Sequence, residues 1–142
     1  MPHSRISRHF RDQAARLLAG DLHRIEVEYT FPLPIHFPND LTVAINLDDG
    51  CSILAQRRAE LIARGIVALI PTVTAVELPR SGKFRVWIDW KEVTAVGEEI
   101  PGSSAIYYRR SAATGLQTEM IEYTHLSPPG EPPQQERLAR SA

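Results

Sequence analysis

Gly65 divides the chain into two stretches that obey different periods. Before it, apolar residues recur at helical spacing, and beyond it they follow a strand-like pattern as far as Leu126. A helical amino-terminal half followed by a run of strands makes an α+β domain, with the helices laid on an antiparallel sheet.

In the first stretch, Phe10, Ala14, Leu17 and Leu18 share one helical face, and Gly20 stands where a left-handed cap ends such a helix. Asp21 then caps a second short helix, on which Leu22, Ile25 and Tyr29 repeat before Pro32 and Pro34 forbid continuation. Ile35 to Ile45 read as two short strands reversed at Pro38-Asn39-Asp40. A third helix opens at Asp48 or Asp49 and runs to about Arg64, with Ile53, Leu54, Leu61 and Ile62 as its apolar face. Arg57 and Arg58 fall between those two pairs. Their stems cover apolar surface with the heads in water, or one of them reaches a buried edge.

Beyond Gly65, Ile66 to Leu78 is a β-branched run, and Pro79-Arg80-Ser81-Gly82 turns the chain. Phe84, Val86, Ile88 and Trp90 then alternate with Arg85, Trp87, Asp89 and Lys91. A turn over Gly97 to Ser103, a strand over Ala105 to Arg110, a turn at Ala113-Thr114-Gly115 and a strand over Leu116 to Leu126 complete a four-stranded meander. Residues 127–142 form a Pro-rich tail, which this composition predicts to be disordered.

The 142 residues suit one domain, and 43% apolar with 23% charged residues is ordinary globular usage. A net charge of −1 argues against nucleic acid as a partner, since phosphate binding needs a positive surplus. Arg5, Arg8 and Arg11 are offset by Asp12 and Asp21 and read as a solvated helix face. Cys51 is the only cysteine, so no intrachain disulfide forms and a reducing cytoplasm is the expected location. Near the start of helix three it reads as a space-filling residue rather than a reactive thiol. No apolar run reaches the length of a signal sequence or a membrane span, so no membrane partner is expected. Phosphate loops, nucleophile elbows and metal-spaced His or carboxylate clusters are lacking, so neither a metal nor a cofactor is expected.

An amphipathic helix ending in Gly20-Asp21, a Pro-punctuated hairpin with a third helix, and long antiparallel strands occur here in that order over residues 5–126. With the Trp87 to Trp90 strand and the Met120 to Thr124 ending, the chain resembles the nuclear transport factor 2-like domains, in particular small bacterial members. The resemblance implies three helices packed in the concavity of a strongly curved sheet, an α+β barrel or cone. It also implies a ligand pocket between the layers and a homodimer through uncovered sheet.

The ketosteroid isomerases of that family carry a tyrosine in the first helix and a base aspartate in a strand. Those positions read Ala14 and Phe37 here, which removes the oxyanion donor and the proton acceptor. Related cyclases and dehydratases use His and Asp with tyrosines. Asp89 and His125 are the candidates for such chemistry, with His36 and Glu122 behind them. Asp89 alternates with Arg85 and Lys91 and so also reads as a charge on an outer face, and His125 stands near a solvated strand end. Trp87, a large aromatic on a charged face, points to a dimer contact or to cover by a tyrosine or the tail. Tyr29, Phe37, Trp90, Tyr107, Met120 and Tyr123 are the candidate ligand-binding residues, each with a plain core role as its alternative.

Three functions follow in order of preference. The first is a homodimeric domain binding a small apolar molecule in the cone. The second is an isomerase, cyclase or dehydratase, and the third a protein-interaction module with a filled cone.

Overall fold

The computed structural model describes residues 2–22, 25–113 and 115–127. His23, Arg24, Thr114 and the tail from Pro128 lie outside the described residues, so the expected disorder of that tail is not addressed.

Helix α1 spans Pro2–Ala19 and buries Phe10 and Ala14. It ends as its sequence directs: Gly20 takes a left-handed φ of 77°, Gly20 N–H reaches Leu17 O, and Asp21 N–H reaches Arg16 O. These two bonds close a Schellman cap. The second helix departs from expectation. It is a single turn, α2, Ile25–Glu28, after which Tyr29 forms an isolated bridge with Thr118. The domain therefore has two full helices rather than three, because residues 29 and 30 are claimed by the last strand before a second turn can form.

Strands β1 (Leu33–Phe37) and β2 (Asp40–Ala44) make the hairpin. Helix α3, Leu47–Ala63, starts earlier than Asp48 or Asp49. Asn46 is its N-cap, accepting from Asp49 N–H, and the Asp49 carboxylate accepts in return from Ile45 N–H. Of the expected apolar face, Leu61 is fully buried while Ile62 is exposed.

The meander consists of β3 (Ile66–Val76), β4 (Lys83–Thr94), β5 (Glu99–Ala112) and β6 (Gly115–His125). Residues 99–103, expected in a turn, belong to β5, because the reversal is completed by Gly97 at φ 84° and its bond to Thr94 O. The strand order is β2-β1-β6-β5-β4-β3, antiparallel throughout except that β1 runs parallel to β6. Register shifts in the β3–β4, β4–β5 and β5–β6 pairs bend the ribbon into a curved sheet. It is an open sheet with β2 and β3 as its edges, so the expected barrel is not closed.

The core lies on the concave side, where Phe10 of α1 meets Tyr107 at a ring separation of 4.7 Å. Leu33, Ile35, Val86, Ile88, Ala105 and Ile121 complete it from the strands.

Candidate functional site

Alternation along each strand decides what faces the helices. Trp90 belongs to the stripe of Val86 and Ile88, Tyr107 to that of Ala105, and Tyr123 to that of Ile121. These stripes do not meet α1 and α3 everywhere, and a cavity of about 510 Å³ remains between the layers. That is within the roughly 300–1,000 Å³ of small-molecule sites. Phe10, Leu17, Ile53 and Leu54 border it from the helices, and Leu33, Ile35, Phe37, Trp90, Tyr107 and Tyr123 from the sheet. Phe37 and Tyr123 stack in parallel at 5.4 Å.

Polar groups gather in two places on this wall. In the first, Trp90 Nε1–H donates to the Tyr107 hydroxyl at 2.8 Å, and Tyr123 borders the cavity beside them. Arg57 and Arg64 enter from α3. Arg64 grips both carboxylate oxygens of Glu92, with Nη1–Oε2 at 3.2 Å, and Glu92 is wholly shielded from solvent. Arg57 Nη2 lies 3.8 Å from the same carboxylate and 3.5 Å from Ser127 Oγ. Ser127 N–H donates to Ser103 Oγ at 2.9 Å, and the Ser103 hydroxyl donates to Ser127 Oγ at 3.1 Å. Gly102 admits this arrangement: a Cβ there would stand 2.8 Å from Trp90 O and 2.9 Å from Glu92 Cγ.

The second group surrounds Glu28, whose carboxylate bonds Gln13 and lies 3.0 Å from His9 Nε2. Burial acts to raise the Glu28 pKa, but the hydrogen bond and charge of His9, the Gln13 bond and the charge of Arg109 together hold it below the usual value. Arg109 is itself buried, donates to Thr118 Oγ1 at 2.7 Å and stacks over Phe10 at 5.4 Å. Burial lowers its pKa. Asp21, Glu60 and Arg16 also border the cavity. Desolvation raises the phenol pKa values of Tyr29, Tyr107 and Tyr123, so all three remain neutral hydrogen-bonding groups at ordinary pH.

Of the residues singled out from sequence, Tyr29, Phe37, Trp90, Tyr107 and Tyr123 border the cavity and Met120 does not. Strand alternation puts Met120 opposite to Ile121 and Tyr123, which face inward, and pairs it with Tyr108. Asp89 and His125 are also absent from the cavity wall. Asp89 is exposed and accepts from Ser104 Oγ at 2.8 Å, and His125 is exposed at the end of β6. His36 pairs with Leu41, and Glu122 accepts from the Tyr108 hydroxyl at 2.9 Å. Ala14 and Phe37, the positions that would carry isomerase chemistry, do border the cavity, as an apolar wall. Trp87 is half-buried with the Arg85 guanidinium 4.9 Å above its ring, and Arg85 is held by Glu77 at 2.8 Å.

Sequence reading missed Glu92, Arg64, Glu28 and Arg109. Glu92 had a signal. It continues the alternation of Val86, Ile88 and Trp90, and a carboxylate on an apolar stripe demands a buried cation. Among the described residues, no group of three or more His, Cys, Asp or Glu is placed to hold a metal ion, and no helix is long and apolar enough to cross a membrane.

The open curved sheet with helices in its concavity is the nuclear transport factor 2-like, or cystatin-like, fold. Similar solved structures include a nuclear transport factor 2-like protein of unknown function from Shewanella oneidensis, at TM-score 0.65 and 12% identity over 87% of this chain and 98% of that one. A domain of unknown function with a cystatin-like fold from Nostoc punctiforme matches at TM-score 0.65 and 12% identity, covering 98% of this chain and 83% of that one. A ketosteroid isomerase-like protein from Erwinia carotovora matches at TM-score 0.57 and 16% identity, covering 84% and 94% respectively. No protein-family model matches the chain, and no curated protein matches it either.

Proposed function

We propose that this chain is a binding domain that takes a small, mainly apolar molecule into the cavity between α1, α3 and the sheet, and that it works as a homodimer. The observation that carries the binding reading is the cavity itself: about 510 Å³, bordered by Phe37, Trp90, Tyr107 and Tyr123. Protein interiors are normally close-packed, so a void that large, with aromatic walls, favours an occupant over a filled cone. Acid–base chemistry through Asp89 or His125 has no support from their positions, since both stand off the cavity wall.

The dimer reading rests on Trp87, half-buried beside Arg85 and Tyr108 on the other side of the sheet. A tryptophan and an arginine stacked on a sheet face have the composition of an interface centre.

Native mass spectrometry tests both parts at once. The wild type is expected at twice the chain mass, with a small organic adduct that leaves on denaturation. Trp87→Arg is expected at the monomer mass with the adduct retained. A monomeric wild type overturns the dimer, and a wild type that neither carries an adduct nor takes up any apolar compound offered overturns the binding site.

A further inference from the structure

Hydroxyl groups gather at the Arg57 end of the cavity. An indole N–H can only donate. Trp90 Nε1–H therefore occupies a lone pair of the Tyr107 oxygen. Tyr123 borders the cavity beside this pair, and its phenol O–H can donate to a group seated there. Ser127 N–H donates to Ser103 Oγ, the Ser103 proton goes to Ser127 Oγ, and the Ser127 proton is left over.

The cationic groups tell the same way. One carboxylate, Glu92, faces two guanidiniums, and Arg64 takes both of its oxygens. Arg57 is left with a 3.8 Å approach to Glu92 and a 3.5 Å contact to Ser127 Oγ, both at the outer limit of bonding. Arg57, Tyr123 and Ser127 thus present hydrogen-bond donors and a positive charge to the cavity. Their neighbours Phe37, Trp90 and Ile53 present only apolar surface or donors already used.

We infer that the ligand of this cavity is an amphipathic carboxylate, with its apolar body among the aromatic walls and its carboxylate on Arg57, Tyr123 and Ser127. A planar guanidinium binds a carboxylate in a fork, and the phenol and serine hydroxyls supply the donors that such an oxyanion needs when removed from water. This assignment rests on the cavity being a binding site, as proposed above.

Isothermal titration with matched pairs tests it: 2-naphthoate against 2-naphthalenemethanol, and decanoate against decanol. The wild type is expected to prefer each carboxylate over its alcohol by about tenfold or more, the scale of a charge-assisted hydrogen bond. Arg57→Gln is expected to abolish the preference while still binding the alcohols. Tyr123→Phe keeps the ring stacked on Phe37 and is expected to reduce the preference severalfold. Circular dichroism confirms the fold of each variant, and if Arg57→Gln does not fold, Tyr123→Phe decides. Alcohols and carboxylates binding alike to the wild type overturn the carboxylate assignment and leave the cavity reading standing. A preference unchanged in the folded variants places the charge elsewhere and overturns the role of these residues. No binding by any of the four compounds overturns the cavity reading together with this inference.

Discussion

Glu92 is the residue whose environment is least forgiving. Its carboxylate is fully buried, and among the described residues Arg64 alone bonds both oxygens. Removing the cation leaves an uncompensated buried charge, whereas removing both partners together leaves none. Arg64→Ala is therefore expected to cost about 3 kcal/mol in urea denaturation. Arg64→Met with Glu92→Leu should recover most of that loss, and equal losses in the single and double variants would show that the pair is not the cause. The pair was half legible beforehand: strand alternation puts Glu92 inward, but nothing local in the sequence says that α3 will bring Arg64 to it. Arg57 illustrates the same limit. Its place between two apolar pairs shows that it borders the buried face, and only the tertiary structure shows that its head points into a cavity.

Elements were easiest to read where a local rule governs them. Gly20 ends α1 because the left-handed cap needs no Cβ, and the Pro38-Asn39 corner between β1 and β2 follows from turn chemistry alone. The start of α3 differs from expectation because three residues within four positions, Asn46, Asp48 and Asp49, can all cap, and the choice falls to Asn46 with Asp49 answering at the third helical position. Asn46→Ala is accordingly expected to lose about 1 kcal/mol, and Asp48→Ala much less, both by urea denaturation. The single turn of α2 was overread for the opposite reason. Its apolar spacing is helical, but Tyr29 and Thr30 bond to Thr118, a partner far along the chain, and that tertiary claim outweighs the local period. Arg58 ties the two long helices together, donating from Nε to Leu18 O at 3.1 Å at the carboxy-terminal end of α1, where a cation is favoured by the helix dipole.

At the scale of the whole molecule, the tyrosines link folding to pH. Burial raises the phenol pKa values of Tyr29, Tyr107 and Tyr123, and burial with the Glu122 bond raises that of Tyr108. Unfolded phenols ionise near pH ~10, so above that value the folded chain holds protons that the unfolded chain has released. Stability from this source is complete below about pH 10 and falls as pH rises further. Ultraviolet difference titration should show tyrosinate appearing together with the loss of structure rather than before it. Early ionisation in an intact fold would contradict the burial described for these side chains.

The sheet order carries a last consequence. Strands β3 to β6 pair with their neighbours in the chain, but β1 finds β6 only across the whole meander, Ile35 opposite Ile121. Contacts between residues so distant in sequence close slowly, because the intervening chain must be ordered before they form. Leu33, Ile35 and Phe37 arrive with that closure, and each borders the cavity. A molecule seated there meets a complete wall only after the slowest pairing has formed. On the binding reading proposed above, a ligand seated there would favour the folded chain by mass action and hold the β1–β6 seam shut, so occupancy would also set how long the domain survives.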